Sequence, residues 1–160
     1  MLNIYKRCDD VMKRITKYDV RLVKESSSLY DYGNESLCNP EEVYNMLNRL
    51  FDLSNRCEEH FVMLALDTKL KVVGAFDIHA GTSKSSPVSA KSVFTRAMLC
   101  NANSIIVAHN HPSGDAHPSR DDVNITRTLE KAGEILDIKL QDHIIIGDDS
   151  YYSFKREGML

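Results

Sequence analysis

The apolar positions of this chain fall into two kinds of run, some at helical spacing and some continuous or alternating as in strands. Asn39-Pro40-Glu41-Glu42 predicts a helix start: a capping side chain, a proline at the first position and acids in the first turn. Val43, Met46, Leu47, Leu50 and Phe51 then recur at helical spacing, so they are expected to face the core until the helix ends near residues 53–55. Residues 61–67 form a buried-strand run, and a turn at Thr68-Lys69 returns the chain along residues 70–76 as an antiparallel hairpin. Ser89 is expected to cap a second helix with Val93, Phe94, Ala97, Met98 and Cys100 inward. That helix stops at residues 101–103, and residues 104–108 make a central strand. A third helix runs from Ser119 to Leu136 with Val123, Ile125, Leu129, Ala132 and Ile135 apolar. Residues 138–147 form a further strand around Ile144-Ile145-Ile146, and Tyr151, Tyr152 and Phe154 close the domain.

The remaining stretches are weaker. Residues 1–18 mix charges with scattered apolar positions, as in an N-terminal arm or short helix; residues 19–24 alternate as a strand would. Residues 25–38 and 77–87 are polar and read as loops, the serines near residue 85 being solvated. The sum is an α/β fold in a three-layer arrangement, a mixed and largely antiparallel sheet with helices packed on it, forming one domain over residues 19–160.

Composition changes this picture little. The chain has 160 residues, 42% apolar and 27% charged, ordinary for one globular domain. Its net charge of −3 argues against a surface that tracks phosphates, so nucleic acid is not an expected partner. No apolar run approaches a membrane span and the N-terminus lacks the core of a signal peptide, which makes the cytoplasm the expected location. Cys8, Cys38, Cys57 and Cys100 form no C-x-x-C pair and are expected as free thiols.

The chemistry concentrates between Ile105 and Asp122. His109 and His111, two apart at the end of a strand, share a face. Ser119 is a plausible N-cap, so Asp122 falls in the first turn of a helix, where its carboxylate can turn back toward the strand. Two imidazoles and one carboxylate are the protein ligands of a hydrolytic zinc site, with the fourth position left for water. Plainer readings exist: Ser119-x-x-Asp122 also fits a capping box, and His-x-His often marks two unremarkable surface histidines. The letters His109-Asn110-His111 are not those of an HNH nuclease, whose residues are dispersed over a hairpin and a helix. The conjunction of all these residues across one strand–loop–helix junction favours one Zn2+ per chain.

His109-x-His111, seven residues, Ser119, two residues, Asp122 resembles the JAMM motif of JAB/MPN metalloprotease-like domains. The longer string His109-Asn110-His111-Pro112-Ser113-Gly114-Asp115 with Pro118-Ser119 resembles the RadC branch, over roughly residues 40–160. The resemblance implies a cytidine-deaminase-like curved sheet between helices with the metal at one edge. It implies a zinc metallopeptidase acting on a peptide or protein substrate through an amide or isopeptide bond. Glu59 matches the family's general base at a strand head, with Glu58 the alternative, since a one-residue slip reverses facing. Ser119 would support the oxyanion as well as cap the helix. Asp121 is expected to serve the helix dipole, His117 to be exposed, and Asp142-His143 to make a structural hydrogen bond beside the metal. Ala116 stands where such sequences often have proline, and Ala90-Lys91-Ser92 replaces Pro-Arg-Glu while Arg96 remains. The resemblance is to a short form without the helix-hairpin-helix segment. Two rival functions follow, a catalytically silent MPN-type interaction module or DNA-repair accessory protein, and a metal-dependent nuclease. A mononuclear His2Asp site suits the nuclease less than carbonyl attack.

Overall fold

The computed structural model describes residues 19, 22–27, 37, 39–81 and 88–160. Residues 1–18 lie outside the described part. Helix α1 spans Pro40–Phe51; Asn39 accepts a hydrogen bond from the Glu41 N–H, and Asp52 ends the helix in the left-handed region. A short 3-10 turn, Leu53–Asn55, leads to β1 (Glu59–Leu66) and its hairpin partner β2 (Val72–Gly81). Helix α2 (Ala90–Leu99), capped by Ser89, precedes β3 (Ser104–Asn110). Helix α3 (Arg120–Leu136) then crosses to β4 (Lys139–Ile146), and β5 (Tyr151–Ser153) closes the sheet.

The sheet order is β2-β1-β3-β4-β5, antiparallel throughout except for the parallel pair β3–β4. That parallel pair decides where the site lies. A crossover helix joining two parallel strands starts where the first strand ends, so the first turn of α3 meets the carboxyl end of β3.

Alternation along the strands splits the core in two. Val62, Leu64, Leu66, Ile106, Ala108, Ile144 and Ile146 pack against Val43, Met46 and Leu47 of α1. Phe61, Met63, Ala65, Ile105 and Val107 face the other way, against Val93, Phe94 and Ala97 of α2 and Leu129 of α3. The three layers expected from the sequence are these: α1, sheet, and α2 with α3.

Several boundaries differ from expectation. Strand β2 continues through residues 77–81 because the first residues of β1 need ladder partners, Glu59 pairing with Gly81 and Phe61 with His79. Strand β3 runs on through His109 to Asn110. Among residues 19–24, expected as a strand, those described form none, and Leu22 and Val23 are exposed. Met98 and Ile135 are exposed although their spacing suits a core, since each helix buries only the stripe that meets the sheet. Cys57 is an exposed free thiol and Cys100 a half-buried one. Among the described residues no helix is long and apolar enough to cross a membrane.

Candidate metal centre

His109 is the second-last residue of β3 and points to the α2/α3 side, in line with Ile105 and Val107. His111 follows one residue beyond the strand, in a loop seated on β4: its N–H donates to the Ile146 carbonyl at 2.8 Å, and Asp148 N–H donates to the Gly114 carbonyl at 2.8 Å. The seat is tight. A Cβ on Gly147 would stand 2.4 Å from the Gly114 oxygen and 2.9 Å from the Ala116 nitrogen, so only glycine lets the loop approach. Ala116 is buried in this loop.

Asp122 arrives from α3, and the two sequence readings of it hold together. Its Oδ2 accepts the Ser119 N–H at 2.7 Å while Ser119 Oγ accepts the Asp122 N–H at 3.2 Å, a complete capping box. The same carboxylate reaches both imidazoles, with Oδ1 3.1 Å from His109 Nε2 and Oδ2 3.4 Å from His111 Nε2. The two Nε2 atoms are 3.0 Å apart.

These separations suit a cation. Donors about 2.0–2.1 Å from a tetrahedral ion lie roughly 3.3 Å from one another, close to the values found. Among the described residues this is the one cluster of three such donors, all within 4.8 Å of each other. His111 also has the right hydrogen in the right place. Its Nδ1 lies 2.6 Å from the Asp115 carbonyl, which only accepts, so Nδ1 carries the hydrogen and Nε2 offers a lone pair. His109 Nδ1 faces His143 Nε2 at 2.9 Å, and His143 Nδ1 faces Thr126 Oγ1 at 2.6 Å. The cluster His109, His111 and Asp122 can hold a metal ion, as the sequence led us to expect.

The charges agree with that arrangement. Asp122 is partly desolvated, which opposes ionisation, but the imidazoles of His109 and His111, which can each turn a protonated Nε2 toward it, outweigh that and hold the carboxyl far below the usual carboxylate range. The bond that a protonated His111 Nε2 would make to Asp122 correspondingly pushes the His111 imidazole up from its ordinary value, against partial burial. His143, wholly buried between the rings of Phe61 and Phe154, is held well below the ordinary imidazole value by desolvation first and by His109 second.

Other expected residues are placed as follows. Register puts Phe61 opposite His109 in the antiparallel β1–β3 pair, so Glu59, two residues earlier, lies on the same side of the sheet as His109. It is half-buried, whereas Glu58 precedes the strand and is exposed. His117 is exposed and paired with Asp115 at 2.7 Å, clear of the cluster. Asp121 is exposed in the first turn of α3. Asp142 is buried and accepts from His143 N–H, Ser153 Oγ–H and Lys155 N–H, so it ties β4 to the C-terminal segment. Its burial raises its pKa above the ordinary value. Sequence reasoning missed Thr126 and the side chain of Asn110. Thr126 carried a faint signal, lying one helical turn after Asp122 on the same face.

The profile of the RadC-like JAB domain matches residues 37–159. A UPF0758 protein of Clostridium kluyveri is 38% identical over 139 residues, covering 87% of this chain and 60% of its own. UPF0758 protein SH1266 of Staphylococcus haemolyticus is 43% identical over 123 residues, 76% of this chain and 53% of that one. UPF0758 protein TTE0897 of Caldanaerobacter subterraneus is 42% identical over 125 residues, with 78% and 53% covered. The chain thus spans between about half and three-fifths of the length of these relatives. With most of its length matched and its His-His-Asp cluster assembled, the chain belongs to the RadC-like JAB domain family.

Proposed function

We propose that this chain is a zinc-dependent hydrolase that directs water at an amide or isopeptide carbonyl of a peptide or protein. One observation carries the reading: His109 Nε2, His111 Nε2 and the Asp122 carboxylate converge within reach of one ion, with the two imidazole nitrogens 3.0 Å apart and each 3.1 to 3.4 Å from one carboxylate oxygen. Zinc bound there would act as a Lewis acid and lower the pKa of a bound water toward neutrality. Glu59 would be the general base and acid, its carboxylate accepting a proton from the attacking water and passing it to the leaving nitrogen. Support for Glu59 over Glu58 comes from strand register and from Asn110. The Asn110 side chain accepts the His60 N–H at 2.8 Å and donates to the Glu58 carbonyl at 3.0 Å, so both flanks of Glu59 are pinned. Ser119 Oγ accepts from Asp122 N–H and keeps its own hydrogen, which it donates to the carbonyl oxygen as negative charge develops there.

The test begins without a substrate. Elemental analysis is expected to find one zinc per chain in the wild type and none in Asp122→Ala or His109→Ala. With zinc loaded, a screen of peptide and isopeptide substrates is expected to give turnover that Glu59→Gln abolishes while the zinc stays. A wild type without stoichiometric metal would end the proposal, and full activity in Glu59→Gln would move the base to Glu58.

A further inference from the structure

The two histidines of the cluster reach the same tautomer by different routes. For His111 one neighbour suffices, because the Asp115 carbonyl can only accept. His109 has no such neighbour: its Nδ1 meets another imidazole, and an imidazole nitrogen can either donate or accept. The ambiguity is settled further along. Thr126 Oγ1 lies 2.5 Å from the Asp122 backbone oxygen and 2.6 Å from His143 Nδ1. The carbonyl only accepts, so the single hydroxyl hydrogen of Thr126 goes to it. Thr126 Oγ1 must then accept from His143 Nδ1–H. A neutral imidazole with its hydrogen on Nδ1 has a bare Nε2, and that nitrogen accepts from His109 Nδ1–H. His109 Nε2 is left with a lone pair aimed at His111 and Asp122.

We infer that Thr126 and His143 are positioning residues that fix the tautomer of His109 and so tune how tightly the site holds its metal. The chain of bonds begins at the backbone of Asp122, the residue whose carboxylate completes the same site. One ligand therefore helps to orient another through three hydrogen bonds, and a single hydroxyl sets the direction of all three. This inference rests on the metal-site reading for its consequence, but not for its geometry.

Thr126→Val keeps the side-chain shape and deletes the hydroxyl, while Thr126→Ser keeps the hydroxyl. In competition with a chromophoric chelator, zinc affinity is expected to fall about 10- to 100-fold in Thr126→Val, the usual loss when an outer partner of a ligand is removed. Thr126→Ser is expected to bind as the wild type does. NMR of the imidazole nitrogens in zinc-free protein is expected to find the hydrogen of His143 on Nδ1 in the wild type and Thr126→Ser, and a tautomer mixture in Thr126→Val. Unchanged affinity and unchanged tautomer in Thr126→Val would overturn the relay and leave the hydrolase proposal standing. A wild type that binds no zinc yet shows these tautomers would uphold the relay and end the hydrolase proposal. If Thr126→Val does not fold, the wild-type spectrum decides alone, since a hydrogen on His143 Nε2 reverses the derived direction.

Discussion

The two faces of the sheet are built from the same strands and do different work. On the α1 face, Ile106 and Ala108 continue into a dry apolar layer with Leu47, Leu53 and Ile144. On the α2/α3 face, Ile105 and Val107 begin the same way, but the next inward position is His109, and the layer ends in a polar network. The difference teaches that the His109, His111 and Asp122 cluster is an edge of a core and not an insertion into it. Apolar packing over most of the face fixes strand and helix, and the last turn of packing is exchanged for polar side chains. Asn110 is the exception that joins the faces. It points to the α1 side, yet it holds the backbone around Glu59 by hydrogen bonds to positions 58 and 60.

The sharpest way to separate the faces is Leu47→Ala. Removing this fully buried side chain is expected to cost about 2–5 kcal/mol in denaturant unfolding, while each folded chain still binds its zinc. Loss of zinc affinity in that variant would show that the faces are energetically coupled. Asn110→Ala tests the bridge. It leaves His60 N–H and the Glu58 carbonyl without their partner, an expected cost of about 1–3 kcal/mol. Zinc should be retained, and Glu59-dependent turnover should fall.

A pH titration distinguishes the faces more gently. Burial holds His143 below its ordinary value of 6.5, so below that pH the unfolded chain binds a proton that the folded chain refuses. Stability of the zinc-free protein is expected to be lost as pH falls from 6.5 toward the depressed folded value, and His143→Gln should flatten that slope. His111, raised by Asp122, acts with the opposite sign: its contribution is full below 6.5 and is lost as pH rises through its folded value. The smallest effect belongs to neither face. Ile135→Lys, at a position 85% exposed, is expected to change stability by no more than about 0.5 kcal/mol.

The legible part of this molecule was the local part. Asn39-Pro40 and Ser89 announced their helices through capping chemistry, and the His109, His111, Asp122 set was visible because a strand, a loop and a helix start carry it within one stretch of chain. What stayed hidden depends on partners far apart in sequence. The bond between Asn110 and His60 spans 50 positions, and no local pattern announces it. The Thr126–His143 contact requires knowing that β4 lies parallel to β3 beneath α3. The tail of β2 looked like loop because the Gly- and Ser-rich stretch from Gly81 to Ser86 runs on from it directly; its strand character comes from the ladder bonds that β1 supplies. Residues 22–24 fail in the reverse sense, with a strand's pattern and no strand assignment.

The contact at Gly147 sets a tolerance for the whole centre. Backbone lies directly on backbone there, so even one added methyl would act as a wedge under the segment that carries Gly114 and Ala116. Asp115, whose carbonyl orients His111, sits between those two residues and would be lifted with them. A carbon atom too far from the cluster to touch any ligand would thus misalign it, which makes that glycine a gauge of how finely the pocket is machined.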